Sequence, residues 1–305
     1  MTPVCGEWEI PAGYQFWHTI RFLRMGQRDP SVQRESDHIR IARWFHSGAA
    51  TVELRVHGGT LTARAWGPGA HEAMEAVPNW AGLHDVPCRD FGCVSLNRTL
   101  HPVLGTHLSR APFVSHEVLP NILQQQIAWR DAARIWYALL AEVGEVAPGP
   151  FDLTLPPTFE QMRRTPHGFL QQIGLSEPRI RAIREVGRLG HRLDEWLAHS
   201  KERFVARITS LPSIGPWTAN HVLAVSMGEP DVLVTGDYTI PHTVCWVLAR
   251  EARGTDERMR ELLAPFTGNR WRVVRLMWAR NLHAPRRGAR MSGLRKRSGF
   301  AGPRR

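Results

Sequence analysis

A single carboxylate, that of Asp237, lies in a setting that suits chemistry. It is in a loop rich in glycine and proline, and the helix predicted to follow has Pro241 in its first turn. An aspartate there can cap the helix, and the helix amides would keep its carboxylate ionised. An ionised carboxylate near a reacting centre can stabilise developing positive charge and orient or deprotonate a water molecule. Asp231, the neighbouring acid, precedes an apolar run and lacks a tyrosine partner such as Tyr238, so we expect it to be structural.

Two predicted helices are joined by a tight turn upstream of this aspartate. The first helix ends near Thr209, and Pro216 is well placed as the first residue of the second. We expect the turn to need Gly215 for a backbone conformation without a Cβ, and the free amides of the second helix to suit a phosphate. An ordinary helical hairpin is the alternative reading of this motif alone. The residues predicted to form this phosphate-binding turn are Leu211, Pro212, Ser213, Ile214, Gly215 and Thr218.

The hairpin, its second helix and the aspartate loop together resemble the helix-hairpin-helix DNA glycosylase superfamily. The resemblance is most specific over residues 211–238, in Ile214-Gly-Pro-Trp-Thr-Ala-Asn220 and in Asp237-Tyr238. Residues 122–127 and 270–278 also match, and the likeness to the bacterial 3-methyladenine DNA glycosylase II subfamily covers residues 7–283. Ser213 departs from the pattern, because the family usually has the first hairpin glycine there. A serine fits this position if its φ stays below zero.

The resemblance implies a role for each matched residue. Asp237 would stabilise an oxocarbenium-like sugar and activate water, while the damaged base is flipped into a pocket. Trp217 and Trp278 would be aromatic walls that attract a cationic alkylated purine, and core packing is the alternative for both. Tyr238 and Gln125 would lie beside the base. Gln126 would fill the space that the base leaves, unless the two glutamines form only a polar stripe on a buried helix.

The lysine content indicates which reaction type to expect. Superfamily members that also cut the backbone use a lysine amine at the position of Trp217, and this chain has only Lys201 and Lys296. The resemblance therefore implies a monofunctional glycosylase for alkylated purines, with double-stranded DNA containing damaged bases as its partner. One alternative is a glycosylase for another base, such as 8-oxoguanine or mispaired adenine. Another is a non-catalytic DNA-damage-binding protein, against which Asp237 in register with the hairpin argues.

Cysteines and histidines show no metal-binding spacing in the sequence. The four cysteines form no Cys-x-x-Cys pair and no Cys/His cluster, which also argues against the iron–sulfur members of the superfamily. We expect reduced thiols, no cofactor and no metal ion held by side chains; main-chain carbonyls of the hairpin are a site that the sequence would not reveal.

Composition supports DNA binding only weakly. The net charge is +11 over 305 residues, but residues 286–305 carry eight basic and no acidic residues, which leaves +3 for the rest. Such a tail could bind phosphates without choosing a sequence, or could simply be solvated. No signal peptide or membrane span is evident. We expect a monomeric cytoplasmic protein associated with the bacterial nucleoid.

The periodicity of apolar residues changes along the chain. Strands are predicted at 37–44, 51–57 and 60–66, with a Gly58-Gly59 hairpin turn and a helix at 71–80 on the dry face of a sheet whose other face is wet. Helices are predicted at 117–143, 158–173, 177–197 and 258–263, with a break at 144–150. We therefore predict an α+β fold: an antiparallel sheet domain at 1–98, an all-α domain at 99–285, and a disordered basic tail at 286–305.

Overall fold

An antiparallel five-stranded sheet forms the N-terminal part of the protein in our computed structural model, which describes residues 2–285. The predicted basic tail lies outside the described residues. The strand order is β1-β5-β4-β3-β2. The strands are β1 Val4–Glu9, β2 Val32–Arg34, β3 His38–Phe45, β4 Gly48–His57 and β5 Thr60–Trp66.

The three central strands confirm the prediction from alternation, and the two edge strands were missed. Gly58 and Gly59 join β4 to β5 with φ values of +58° and +84°, which is the left-handed conformation that a two-residue hairpin turn requires. Strand β1 buries no residue fully and β2 has only three residues. In β1 only Val4 and Trp8 are apolar on the inner face, with Gly6 between them, so the pattern of each edge strand is too short to predict it.

One face of the sheet packs against the predicted helix, α2, Ala70–Trp80, whose Trp80 is fully buried. The prediction that the other face is wet is wrong for the part of that face around Ala42. A short hairpin of β6, Glu145–Val146, and β7, Thr154–Leu155, covers it and buries Ala42 together with Leu153 and Leu155. The predicted break at 144–150 therefore contains part of a small second core.

The rest of the described chain is helical, and three predicted helices are interrupted. The predicted helix at 117–143 breaks at residues 125–128, where Gln126 has a φ of +57°. The one at 158–173 breaks before Pro166, since a residue that precedes proline avoids the helical region. The one at 177–197 continues past Gly190 only as a 3₁₀ helix. The helical period of apolar residues continues across each break, because the segments on both sides bury their apolar faces in one core. The sequence therefore predicted a single helix in each case.

The bounds of the α-helices fix the labels used below. The first is α1, Phe16–Thr19, followed after α2 by α3 Val94–Leu100, α4 Val114–Gln124, α5 Trp129–Val143, α6 Phe159–Arg164, α7 His167–Gln172, α8 Glu177–Leu189, α9 Lys201–Thr209, α10 Pro216–Ser226, α11 Ile240–Ala249, α12 Asp256–Leu263 and α13 Arg270–Ala279. Helix α12 confirms the prediction at 258–263. Together these elements give the predicted α+β fold.

Two large clusters of buried residues form the interior. One lies between the sheet and α2, and the other lies among the helices from α3 to α13. A buried ion pair joins the two regions, because both guanidinium nitrogens of Arg272 on α13 donate to the Asp85 carboxylate at 2.7 Å. The domain boundary at residues 98 and 99 stays a prediction. All four cysteines are free, and within residues 2–285 every helix is too short or too polar to cross a membrane.

Candidate active site

The predicted hairpin is present as α9, a turn at residues 210–215, and α10. Backbone bonds close the turn, from the Leu211 amide to the Ile208 carbonyl and from the Ile214 amide to the Leu211 carbonyl, both at 3.2 Å. The side chains of Leu211 and Ile214 are buried and anchor the turn, while Pro212 and Gly215 are exposed. Contacts from this turn to a ligand would therefore come mainly from its backbone.

The backbone of the turn corrects two expectations. Ser213 has a φ of +63°, so the serine occupies the left-handed region, and the condition of a negative φ is not met. Gly215 has a φ of −97° and a ψ of 179°, which is extended backbone that any residue adopts. A Cβ at residue 215 would meet nothing within 4 Å. The absence of a side chain there leaves open space in front of α10, and it is not required by the conformation of the turn.

Gln125 holds the turn from the side of α4. Its side-chain amide donates to the Ser213 carbonyl at 3.1 Å and to the Thr218 hydroxyl at 3.0 Å. The main-chain carbonyl of Gln125 accepts from the Arg179 guanidinium. Thr218 is buried and its hydroxyl is bonded to Gln125, so its side chain is not available to a ligand. Gln126, the next residue, is exposed. The break between α4 and α5 thus lies directly beside the hairpin.

The loop that carries Asp237 is tied to α10 and α12. Asn220 of α10 donates to the Leu233 carbonyl at 3.1 Å, and the Gly236 amide donates to the Asp256 carboxylate at 2.8 Å. At the end of this loop Asp237 is close to the first turn of α11, where Pro241 lies as predicted. These bonds fix the aspartate relative to the hairpin.

Both oxygens of the Asp237 carboxylate are hydrogen-bonded. Oδ1 accepts from the backbone amides of Thr239 at 2.7 Å and Ile240 at 2.8 Å, so the side chain caps α11 from outside the helix. The Thr239 hydroxyl also donates to Oδ1, at 2.9 Å. Oδ2 accepts from the Trp217 indole N–H at 2.9 Å. This pair brings together the two residues that the sequence singled out as acid and pocket wall.

Burial raises the pKa of the Asp237 carboxyl, but the surrounding donors outweigh that effect. His221, the Trp217 indole and the amides of Ile240 and Thr239 hold the pKa well below its ordinary value. The side chain is only 15% exposed. Asp237 is therefore a carboxylate that stays ionised although little water reaches it.

His221 is a residue of this site that the sequence did not single out. Its Nε2 lies 4.0 Å from Asp237 Oδ2, which is too long for a hydrogen bond, so in this arrangement the four donors in contact must act on the carboxylate more strongly than the histidine. Nε2 is buried and has no hydrogen-bond partner among residues 2–285. The spacing could have identified it, since His221 follows Trp217 by one helical turn and shares its face.

Four aromatic rings follow one another next to the carboxylate. The ring of His221 lies 4.5 Å from that of Trp217 and 5.5 Å from that of Trp271, measured between centroids. Trp271 in turn contacts Trp278 at 5.4 Å. Trp278, chosen from the sequence, therefore lies further from Trp217 along this row than the buried Trp271, which was missed. Tyr238 is 70% exposed and packs on His242 at 5.6 Å.

The remaining charged residues near the loop have structural partners. Arg270 donates to both oxygens of Asp231 at 2.6 Å, which agrees with the structural role expected for this acid. Lys201 pairs with Glu229 at the start of α9. No other lysine lies within residues 2–285. Among these residues, an amine nucleophile beside Asp237 is absent.

Comparisons with known proteins locate this fold among solved structures. No protein-family model and no curated protein matches the sequence. The 3-methyladenine DNA glycosylase of Archaeoglobus fulgidus superposes with a TM-score of 0.77 at 19% identity, over 90% of this chain and 98% of that chain. MBOgg1 in complex with a low-affinity DNA ligand gives 0.67 at 14% identity, over 92% and 98% of the two chains. The apo 8-oxoguanine glycosylase/lyase of Clostridium acetobutylicum gives 0.65 at 10% identity, over 91% and 98%. The chain therefore has the same fold as these DNA glycosylases.

Proposed function

We propose that the protein is a monofunctional DNA glycosylase that hydrolyses the N-glycosidic bond of alkylated purines and leaves an intact abasic site. The observation that carries the proposal is the Asp237 carboxylate, which is ionised, mostly buried, and hydrogen-bonded to Trp217 on the second helix of the hairpin. This arrangement joins a group that can stabilise a sugar cation to an element that can hold the DNA backbone.

The hairpin is the proposed anchor for DNA. Pro216 has no N–H, and the amides of Trp217 and Thr218 in the first turn of α10 lie at the positive end of the helix dipole. Gly215 leaves open space in front of them, where a phosphate oxygen can approach the backbone. Solved neighbours of the same fold include MBOgg1 with a DNA ligand, which supports DNA as the partner.

Asp237 is the proposed catalytic residue. When the base leaves, positive charge develops on the deoxyribose, and a carboxylate that is already ionised and oriented stabilises this charge without reorganisation. Because the side chain is largely buried, its field is screened less than that of an exposed acid. The same group can orient or deprotonate the water that attacks the sugar.

The aromatic row supports an alkylated purine as the substrate. Purines alkylated on ring nitrogens carry positive charge, and the half-buried rings of Trp217 and Trp278 can attract cations and stack on bases. Tyr238 and Gln126, both exposed, are proposed to contact the DNA around the flipped base. A lyase step would need an amine, and Trp217 stands where other members of the fold would carry it.

Base release measured side by side tests the proposal. The wild type should release free bases from methylated duplexes faster than from oxidised or deaminated duplexes. The Asp237→Asn variant should be about 100-fold slower or more, because the amide cannot balance the sugar cation, although its Oδ1 can still cap α11. Asp231→Asn is the matched control and should keep the wild-type rate.

Three other results of these assays would contradict the proposal. Release from oxidised duplexes alone would point to another base, while DNA binding with no release by the wild type would make this a damage-binding protein. Borohydride should trap no covalent enzyme–DNA adduct, and a trapped adduct would contradict the monofunctional mechanism.

A further inference from the structure

A second cluster of ligand-type side chains lies outside the proposed active site. His46 is in the turn between β3 and β4, while His191 and Asp194 belong to the 3₁₀ segment that follows α8. One ligand atom from each of the three lies within 4.8 Å of the others. We propose that these side chains form a binding site for a transition-metal ion, with Zn²⁺ as the best-fitting ion.

The distances between ligand atoms suit a small ion. Asp194 Oδ2 lies 3.5 Å from His46 Nε2 and 3.8 Å from His191 Nδ1. In a tetrahedral zinc site with bonds of about 2.0–2.1 Å, ligand atoms are about 3.4 Å apart. Shifts of a few tenths of an ångström therefore close these two distances. Two imidazoles and one carboxylate form a borderline donor set that favours Zn²⁺ over Mg²⁺ or Ca²⁺.

A carboxylate behind His46 selects the ring nitrogen that would bind. Glu72 of α2 accepts from His46 Nδ1 at 2.8 Å, which leaves the lone pair on Nε2, the nitrogen that faces Asp194. Glu72 is itself held by the amide of Ser47 at 2.9 Å and by the hydroxyl of Ser47 at 2.7 Å. Metal-bound histidines commonly have such a carboxylate partner, because it orients the ring and increases its basicity.

Asp194 is a buried carboxylate that lacks a permanent cation. Its side chain is 8% exposed, and Ser115 donates to it from the backbone amide at 3.0 Å and from the hydroxyl at 3.2 Å. Within residues 2–285, no lysine or arginine forms a salt bridge with it, and its basic partners are the two histidines, which carry charge only when protonated. A buried charge is costly unless it is paired or coordinates a metal. A divalent ion would supply the missing positive charge.

The cluster opens onto a cleft of about 660 Å³, which gives an ion access and leaves room for a water molecule as a further ligand. The cleft is also lined by Glu195, Arg110 and Arg192. Counted with Asp194 and Glu72, the carboxylates outnumber these two arginines. The local charge therefore still favours a cation.

A bound ion would connect three elements that are distant in the sequence. His46 comes from the sheet, His191 and Asp194 come from the 190–198 segment, and Ser115 connects Asp194 to the N-terminus of α4. An ion that binds only the folded state raises stability in proportion to the logarithm of its free concentration. Removal of zinc should therefore lower the thermal midpoint of unfolding by a few degrees, on the order expected for a ligand held at tens of times its Kd.

Zinc binding to the full-length protein tests the site. After treatment with a chelator, the wild type should take up about one equivalent of Zn²⁺, measured as metal content after gel filtration. His46→Gln and His191→Gln, both at half-exposed side chains, should each weaken binding at least tenfold, as is typical when a metal ligand is removed. His57→Gln, at an exposed histidine on β4, is the matched control and should bind like the wild type.

The outcomes separate this site from the four free cysteines and from the proposed active site. Zinc uptake that survives in both histidine variants would place the ion elsewhere and overturn the proposal, as would a wild type that retains no zinc. Co²⁺ in place of Zn²⁺ should give an absorption spectrum without the thiolate charge-transfer band that a cysteine site produces. Asp237→Asn should bind zinc as the wild type does, so failure of one proposal leaves the other intact.

Discussion

At the scale of single residues, His221 combines a poor setting for stability with a good one for chemistry. Its buried Nε2 has no hydrogen-bond partner among the described residues, yet it lies 4.0 Å from the Asp237 carboxylate. An unsatisfied buried polar atom costs about 1–3 kcal/mol. A position that lowers stability while facing a reactive group is the pattern expected of a residue retained for function.

His221→Phe should therefore stabilise the protein and slow base release. We expect the free energy of unfolding to rise by about 1 kcal/mol, because the new ring keeps the contacts with Trp217 and Trp271 and buries no polar atom. Base release should fall about tenfold, because the variant loses the ring nitrogen that lies 4.0 Å from the Asp237 carboxylate, close enough to contact a water molecule or substrate bound there. Urea unfolding and single-turnover excision measure the two effects. A variant with higher stability and undiminished excision would show that His221 has no role in the reaction.

The pKa of Asp237 leads to a prediction about pH. Because the folded-state pKa is held below its ordinary value of 3.8, the stability that the carboxylate contributes is present above that value and is lost as the pH falls through the lower folded value. Excision between pH 5 and 8 should accordingly show no acid limb from this group. Trp217→Phe removes the donor to Oδ2 and should raise the pKa. A pH–rate profile in which the variant loses activity at higher pH than the wild type would confirm this.

At the scale of elements, two different residues of the hairpin turn have the strained backbone and the open space for a ligand. Ser213 adopts a left-handed φ that favours glycine, whereas Gly215 adopts a φ open to any residue and faces empty space. Ser213→Gly should raise the free energy of unfolding by about 1 kcal/mol, because the strain of a Cβ at positive φ is removed. Thermal or urea unfolding measures the change, and a loss of stability would contradict it.

Gly215→Ala should leave stability intact and weaken DNA binding. The methyl group meets no protein atom, so stability should stay constant or rise by about 0.4–1 kcal/mol. Affinity for DNA should fall about tenfold if a phosphate occupies the space in front of α10. A fluorescence-anisotropy titration at fixed salt gives the affinity, with Gly168→Ala on α7, where an added methyl group also meets nothing within 4 Å, as a control for glycine replacement. Unchanged binding by Gly215→Ala would argue against this anchor.

At the scale of the whole molecule, the Asp85–Arg272 pair holds the helical core to the segment that follows α2. Both side chains are less than one-tenth exposed, and Asp85 also accepts from the Leu108 amide at 2.8 Å. Arg272→Met should lower the free energy of unfolding by about 3–5 kcal/mol, because it leaves a buried carboxylate unpaired. Adding Asp85→Asn should recover much of that loss. Urea unfolding of the single and double variants measures the coupling, and additive effects would show that the pair is not coupled.

The sequence by itself determined the local parts of the molecule. Pro216, the loop before α11 and Asp237 predicted the hairpin and the capping carboxylate, because helix ends depend on residues within one turn. Alternation predicted β3, β4 and β5, because the two faces of a strand are also set by neighbouring residues. Asp237 was identified in this way and Trp217 through the resemblance to the glycosylase family, although the hydrogen bond between them was not predicted.

Only the tertiary structure decided which distant residues meet. The breaks at Gln126 and Gly190, the hairpin that covers the second face of the sheet, and the pairing of β1 with β5 all depend on contacts across the core. The approach of His221 to Asp237, and of His46 to Asp194, also joins segments with no common period. Such contacts depend on how the whole chain packs its apolar side chains and pairs its buried polar groups. A local pattern of residue types therefore cannot predict them.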